Sequence, residues 1–175
     1  MKRLFFMIAV VLSSLLTVTS VSAETLPTGD TILFTEDELF VTKEEKEIRD
    51  LVDKYEPIFT NALTGQAEYF FTLCQEYGVD YELAMAVSAF ETGWFNSYAA
   101  VVQNNFGGMM GSNGLLTFSS VESGLEAYIS MLGGYAARGA GSFEAMAGAY
   151  APGNDTWVGK AYNFLADVRR KANPD

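Results

Sequence analysis

The sequence predicts a mainly α-helical domain that carries one short loop and β-hairpin lobe. Apolar residues recur at the helical period in several separate segments, capping pairs stand at the starts of two of them, and a single glycine- and asparagine-rich stretch interrupts the series. With 175 residues, 49% hydrophobic and 14% aromatic, the chain has apolar material for one compact domain with short appendages.

The chain opens with Lys2 and Arg3, an apolar run from Leu4 to Leu16, and a polar stretch ending in Val21-Ser22-Ala23. This order predicts a signal peptide over residues 1–23, cut after Ala23. The alternative is an uncleaved anchor, against which stands an apolar run short of the ~20 residues a span needs. In either case the remainder is exported, and no later segment approaches spanning length, so no membrane contact is expected after cleavage. Residues 24–42, with Pro27, Gly29 and Glu36-Asp37-Glu38, read as a solvated acidic leader.

The domain is expected over 43–175. Thr42 and Glu45 make a capping box for a helix over about 43–56, within an N-terminal helical segment 43–60, with Ile48, Leu51, Val52 and Tyr55 on one face and Pro57 as its stop. Ala67, Phe70, Phe71, Cys74 and Tyr77 define a second helix, closed by Gly78. Asp80 caps a third, with Leu83, Val87, Phe90 and Trp94 on one stripe. From Gly93 to Gly114 turn formers dominate, and a short hairpin is expected to involve Leu115 to Phe118. Ser119 and Glu122 read as the next capping box, starting a helix that runs to Gly133-Gly134. Two more helices are expected near Ser142 to Tyr150 and near Thr156 to Lys171.

Charge and residue types narrow the chemistry. Removal of residues 1–23 would leave 9 basic against 22 acidic residues, a net charge of −13, so the basic footprint that nucleic acid requires is missing. Cys74 is the single cysteine, which excludes an internal disulfide; at helical spacing with Phe70 and Phe71 it reads as a buried apolar residue rather than a reactive thiol. The chain has no histidine, which removes the Ser-His-Asp and Cys-His schemes and the usual zinc sites. No metal and no cofactor is expected. Chemistry here must use carboxylates, amides and phenols.

Glu91 stands out because it interrupts an apolar helix face, roughly 20° from Ala84 and 40° from Val87 at about 100° per residue. A carboxyl group packed against apolar side chains keeps its proton more readily than one in water, the property required of an acid that protonates a leaving oxygen. A glutamate bonded to a neighbouring turn fits the periodicity equally well. Glu91-Thr92-Gly93-Trp94, however, opens directly into the loop lobe, at the rim where clefts form.

Four segments, LAMAVSAFETGW at 83–94, NNFGGM at 104–109, FSSVESGLEAY at 118–128 and AYAPGNDTWVGKAYNFL at 149–165, follow in order over a motif-bearing core of 80–168. In this the chain resembles the bacterial peptidoglycan glucosaminidase family of the lysozyme-like superfamily, which also holds the lytic transglycosylases. The resemblance implies a lysozyme-like helical domain whose loop lobe closes a substrate cleft, peptidoglycan glycan strands as the partner, a secreted or cell-wall-associated monomer, and cleavage of the β-1,4 backbone at N-acetylglucosaminyl bonds. It assigns the catalytic acid to Glu91 and a cleft position beside it to Tyr150, which otherwise reads as a core tyrosine.

Asn104, Asn105 and the bared backbone at Gly107-Gly108 suit N-acetyl groups and Phe106 suits a sugar face, although a capped glycine turn with Phe106 in the core explains them too. Trp94 and Trp157 suit sugar stacking, but both stand at apolar helical positions, where core packing is the alternative. The chain departs from the family pattern in having no Asp or Glu between Glu91 and Glu122, so the second carboxylate that many members carry is missing. Glu122 reads as a capping residue. Two one-acid routes stay open, attack by the substrate's own N-acetyl group or by an internal sugar hydroxyl, as does a silent glycan-binding module. Because the wall is itself anionic, binding must rest on short-range contacts.

Overall fold

The computed structural model describes residues 42–174, so the expected signal peptide and nearly all of the acidic leader lie outside the described residues. Among these residues there are seven α-helices and one two-stranded hairpin: α1 (Lys43–Tyr55), α2 (Ala67–Tyr77), α3 (Tyr81–Thr92), α4 (Tyr98–Val101), β1 (Met110–Gly111), β2 (Gly114–Leu115), α5 (Val121–Ala136), α6 (Phe143–Tyr150) and α7 (Trp157–Ala172). No helix here is long and apolar enough to cross a membrane.

Local chemistry sets most boundaries. Thr42 Oγ1 accepts from the Glu45 amide at 3.1 Å while Glu45 Oε2 accepts from the Thr42 amide at 2.8 Å, the reciprocal box that starts α1. Asp80 accepts from the Leu83 amide and starts α3, and Ser142 does the same for α6 through Ala145. Gly78, in the left-handed conformation, ends α2.

Helix α3 occupies the centre. Its residues 84–89 are all buried, so it is covered on every side and has no solvent stripe in that stretch. Alanines and a serine there let neighbours approach, and the Tyr128 hydroxyl of α5 donates to the Ala84 carbonyl at 2.7 Å. On one flank Tyr55, Phe59, Phe70, Phe71 and Tyr81 meet edge to face with ring centroids 5.3–5.8 Å apart, the arrangement that ring quadrupoles favour. On the other flank lies α7. Cys74 is buried, and burial pushes its thiol above the ordinary range, consistent with a packing role.

Four expectations need correction. The residue at the start of α5 is Ser120, whose box partner is Ser123, not Ser119 with Glu122; Glu122 is exposed and accepts from Gln66. The same helix passes through Gly133-Gly134 to Ala136, because a Cβ on Gly133 would sit 2.9 Å from the Tyr77 carbonyl of α2 and only glycine allows that crossing. The hairpin pairs Met110 with Leu115 and Gly111 with Gly114, a few residues before the expected place. Trp94 lies beyond the end of α3, where Gly93, Trp94 and Phe95 all have positive φ (57°, 58° and 63°) and turn the chain out of the helix.

One buried-edge network ties three helices. Glu82 Oε1 accepts from the Tyr55 hydroxyl at 2.6 Å, and Glu82 Oε2 accepts from Arg169 Nε at 2.8 Å with Nη2 2.6 Å away. Burial alone would raise this carboxyl, but hydrogen bonds from Arg169 and Tyr55 and the charge of Arg169 outweigh it and hold Glu82 below its usual range. A depressed folded value means stability that is present above the unfolded carboxylate range and is lost as the pH falls through the folded value. Glu82→Gln is therefore expected to cost about 1 kcal/mol at neutral pH and progressively less as the pH falls through the folded value. Thermal melts of both chains over a descending acid series check this; a gap independent of pH would refute it.

Candidate active site

Glu91 stands in the last turn of α3, half-buried, one residue before Thr92. The turn that follows is held by Thr92, whose side-chain oxygen accepts from the Phe95 amide at 3.0 Å, and by Asn61, whose amide donates to the Trp94 carbonyl at 3.0 Å. These bonds offset the cost of three consecutive left-handed residues and fix where α3 ends. Glu91 Oε1 accepts from Trp157 Nε1 at 3.0 Å, across 66 positions of chain.

Beside it lies a cleft of about 610 Å³, within the range of small-molecule sites. It is lined by Phe90, Glu91 and Trp157, by Gly107 to Met110 with Leu116, and by Met131, Tyr135, Tyr150 and Asn154. Glu91 is the one carboxyl group among the lining residues, and no lysine or arginine joins it. Among the described residues no group of acids and cysteines is arranged to hold a metal ion.

The glycine turn is shaped by its neighbours. A Cβ on Gly107 would lie 2.5 Å from the Tyr128 ring, and one on Gly108, at φ 60°, would lie 3.3 Å from Glu91 Oε2. Side chains are thus absent where the backbone passes the carboxyl. The Tyr150 hydroxyl donates to the Gly107 carbonyl at 2.7 Å and clamps α6 to this turn. Burial, then the nearby Glu91 charge, then Tyr135 push the Tyr150 phenol well above its ordinary range, so it remains a neutral donor.

The expected site residues divide into two groups. Glu91, Tyr150, Gly107 and Trp157 meet at the cleft. Trp157 arrives there in an unexpected way, since its ring is 1% exposed and has no free face for a sugar; what it presents is its N–H, to Glu91. The others are engaged elsewhere. Asn105 is fully buried, with its amide nitrogen donating to the Met109 and Leu116 carbonyls at 2.9 Å and its oxygen accepting from the Met109 amide at 2.8 Å, so it builds the hairpin lobe. Asn104 donates to the Phe118 carbonyl at 3.0 Å, and Phe106 is a core residue. Trp94 packs on Phe164 of α7, with Lys171 Nζ 4.8 Å from its ring.

Residues not foreseen also line the cleft: Tyr135, Met131 and Asn154. Tyr135 was detectable, because it follows Tyr128 by two helical turns and so shares its face of α5. Asn154 sits in an irregular turn, where no periodicity points inward.

No curated protein matches the chain at a significant level. A family profile described as mannosyl-glycoprotein endo-beta-N-acetylglucosaminidase matches residues 67–169, which include every residue that lines the cleft. With more than half of the sequence inside that match, and with a single carboxyl group presented to a sugar-sized trench, the chain belongs to the glucosaminidase family of glycan-cleaving hydrolases.

Proposed function

We propose that this protein is a secreted hydrolase that cuts the β-1,4 glycan backbone of peptidoglycan at N-acetylglucosaminyl bonds, with Glu91 as general acid. The observation that carries the reading is the lone, half-buried Glu91 carboxyl facing the cleft inside the family-matched segment. Retaining and inverting mechanisms of the common kind need two carboxyl groups, about 5 Å or about 6.5–9.5 Å apart. With one in the cleft lining, the second role passes to the substrate.

In the hydrolytic route, Glu91 gives its proton to the glycosidic oxygen, and the C1–O electron pair leaves with that oxygen. The acetamido carbonyl oxygen of the same sugar bonds to C1. Water then opens the cyclic intermediate at C1 and returns a proton to the Glu91 carboxylate, leaving a reducing end. Attack by an internal sugar hydroxyl instead of water, as in lytic transglycosylases, uses the same single acid and ends in an anhydro sugar.

Product analysis of purified peptidoglycan discriminates these outcomes. Reducing N-acetylglucosaminyl ends are expected. Anhydro-muramyl ends would replace hydrolysis by transglycosylation, and retention on the wall without new ends would leave only a binding module.

Tyr150 supports the reading by holding the glycine turn opposite the acid. Tyr150→Phe removes one buried hydrogen bond and frees the Gly107 carbonyl, so turnover is expected to fall about tenfold with a melting temperature lower by only a few degrees. Steady-state kinetics beside a thermal melt check this, and unchanged turnover would remove Tyr150 from the machinery.

A further inference from the structure

Resting on that reading of the cleft, we propose that Trp157 is a positioning residue that decides which oxygen of Glu91 carries the catalytic proton. An indole N–H is a donor only, so Glu91 Oε1, 3.0 Å from Trp157 Nε1, must meet it with a lone pair. In a protonated carboxyl group the carbonyl oxygen is the better acceptor, which assigns the carbonyl to Oε1 and the hydroxyl to Oε2. Oε2 is the oxygen that faces Gly108, where a side-chain carbon would come within 3.3 Å, and glycine keeps that approach clear.

The indole is held rigidly enough to enforce this choice. Trp157 is 1% exposed, and its ring lies among those of Tyr150, Phe143 and Phe90 at centroid distances of 5.3, 6.1 and 6.4 Å. It is the first residue of α7, and its own amide donates to the Asn154 carbonyl at 3.1 Å, so helix and turn both fix the ring's origin. When the proton passes from Oε2 to the glycosidic oxygen, negative charge spreads over both carboxylate oxygens. The N–H on Oε1 then becomes a charge-assisted bond, stronger after the transfer than before it. The role of Trp157 is thus exerted through Glu91 and not by stacking on sugar.

Two measurements on the full mature chain test this. In nitrogen-edited proton NMR, the Trp157 indole signal, identified by its loss in Trp157→Phe, should be protected from exchange. It should move as Glu91 is titrated and stay still in Glu91→Gln. In kinetics, the chain carrying Trp94→Phe is prepared with tryptophan or with β-(3-benzothienyl)alanine, which replaces the N–H by sulfur in a ring of nearly the same shape. The sulfur form is expected to lose kcat by about tenfold to a hundredfold, with KM within about twofold and an unchanged melting temperature. Retained kcat in the sulfur form, or an indole signal indifferent to Glu91, overturns the proposal. A titrating indole in a wild-type chain that releases no sugar ends would support the pairing and sink the hydrolase reading instead.

Discussion

Glu91→Gln is expected to lower the release of new sugar ends from purified peptidoglycan by about 10² to 10⁴-fold, the usual contribution of a positioned general acid. Glutamine has nearly the same shape, so its amide oxygen can take the place of Oε1 and accept from Trp157 as the carboxyl does. The amide nitrogen then faces Gly108 and has no proton acidic enough to give to a glycosidic oxygen. Because the substitution removes a half-buried ionisable group without emptying space, the melting temperature is expected to stay within about 2 °C of wild type. A large loss of turnover with folding intact would therefore report chemistry. Turnover within a few-fold of wild type would remove Glu91 from the acid's role and with it the proposed mechanism.

Among the glycines of the described residues, Gly124→Ala should be the most destabilising change. On helix propensity alone the substitution favours folding by up to about 1 kcal/mol, since glycine is the costlier residue within a helix. Here packing opposes propensity, because a Cβ on Gly124 would overlap the Asn104 carbonyl. That carbonyl cannot easily retreat: Asn104 is held at φ 51°, its side chain donates to Phe118, and the Asn105 amide donates to the Ala99 carbonyl at 2.8 Å. Overpacking of this kind costs about 3 kcal/mol when backbone must move, which exceeds the propensity gain and lowers the melting temperature by roughly 10 °C. Since residues 104–107 lead directly to the glycine turn, turnover should fall as well. Gly159 in α7 is the matched control: nothing lies within 4 Å of its missing Cβ, so Gly159→Ala should be neutral or slightly stabilising. Equal effects at the two glycines would show that the α5 crossing is not the constraint described here.

Two other glycine positions, Gly78 and Gly133-Gly134, show where the sequence can be read and where it cannot. Gly78 ends α2 as its position after an apolar periodic segment predicts, because a left-handed cap is a local event. Gly133-Gly134 carries the same signal and ends nothing, because Gly133 answers to the carbonyl of Tyr77 on another helix. A residue without a side chain serves both purposes, and neighbours in sequence do not say which.

The same division runs through the site. The amphipathic stripes of α1, α2 and α7, the box and cap that start α1 and α3, and the oddity of a carboxyl group on an apolar face are short-range features, written within a turn or two of chain. They were legible before any fold was known, as was the mainly helical class. The short α4 inside the loop was not, since its Ser97 cap is followed by only four helical residues and no apolar period can be seen over that length. Nor were the tasks of the polar and aromatic residues around Glu91. Asn105 and Trp157 have donors that suit a sugar as well as they suit protein, and their identities alone leave the choice open. Folding made it by distance: Asn105 is closed inside the hairpin lobe, 11 positions from the Leu116 carbonyl it holds, and Trp157 reaches Glu91 across 66. Periodicity and capping are encoded locally because helices form from contacts three and four residues apart, whereas the partner of a buried N–H is set by which helices cross, and that depends on the packing of the whole core.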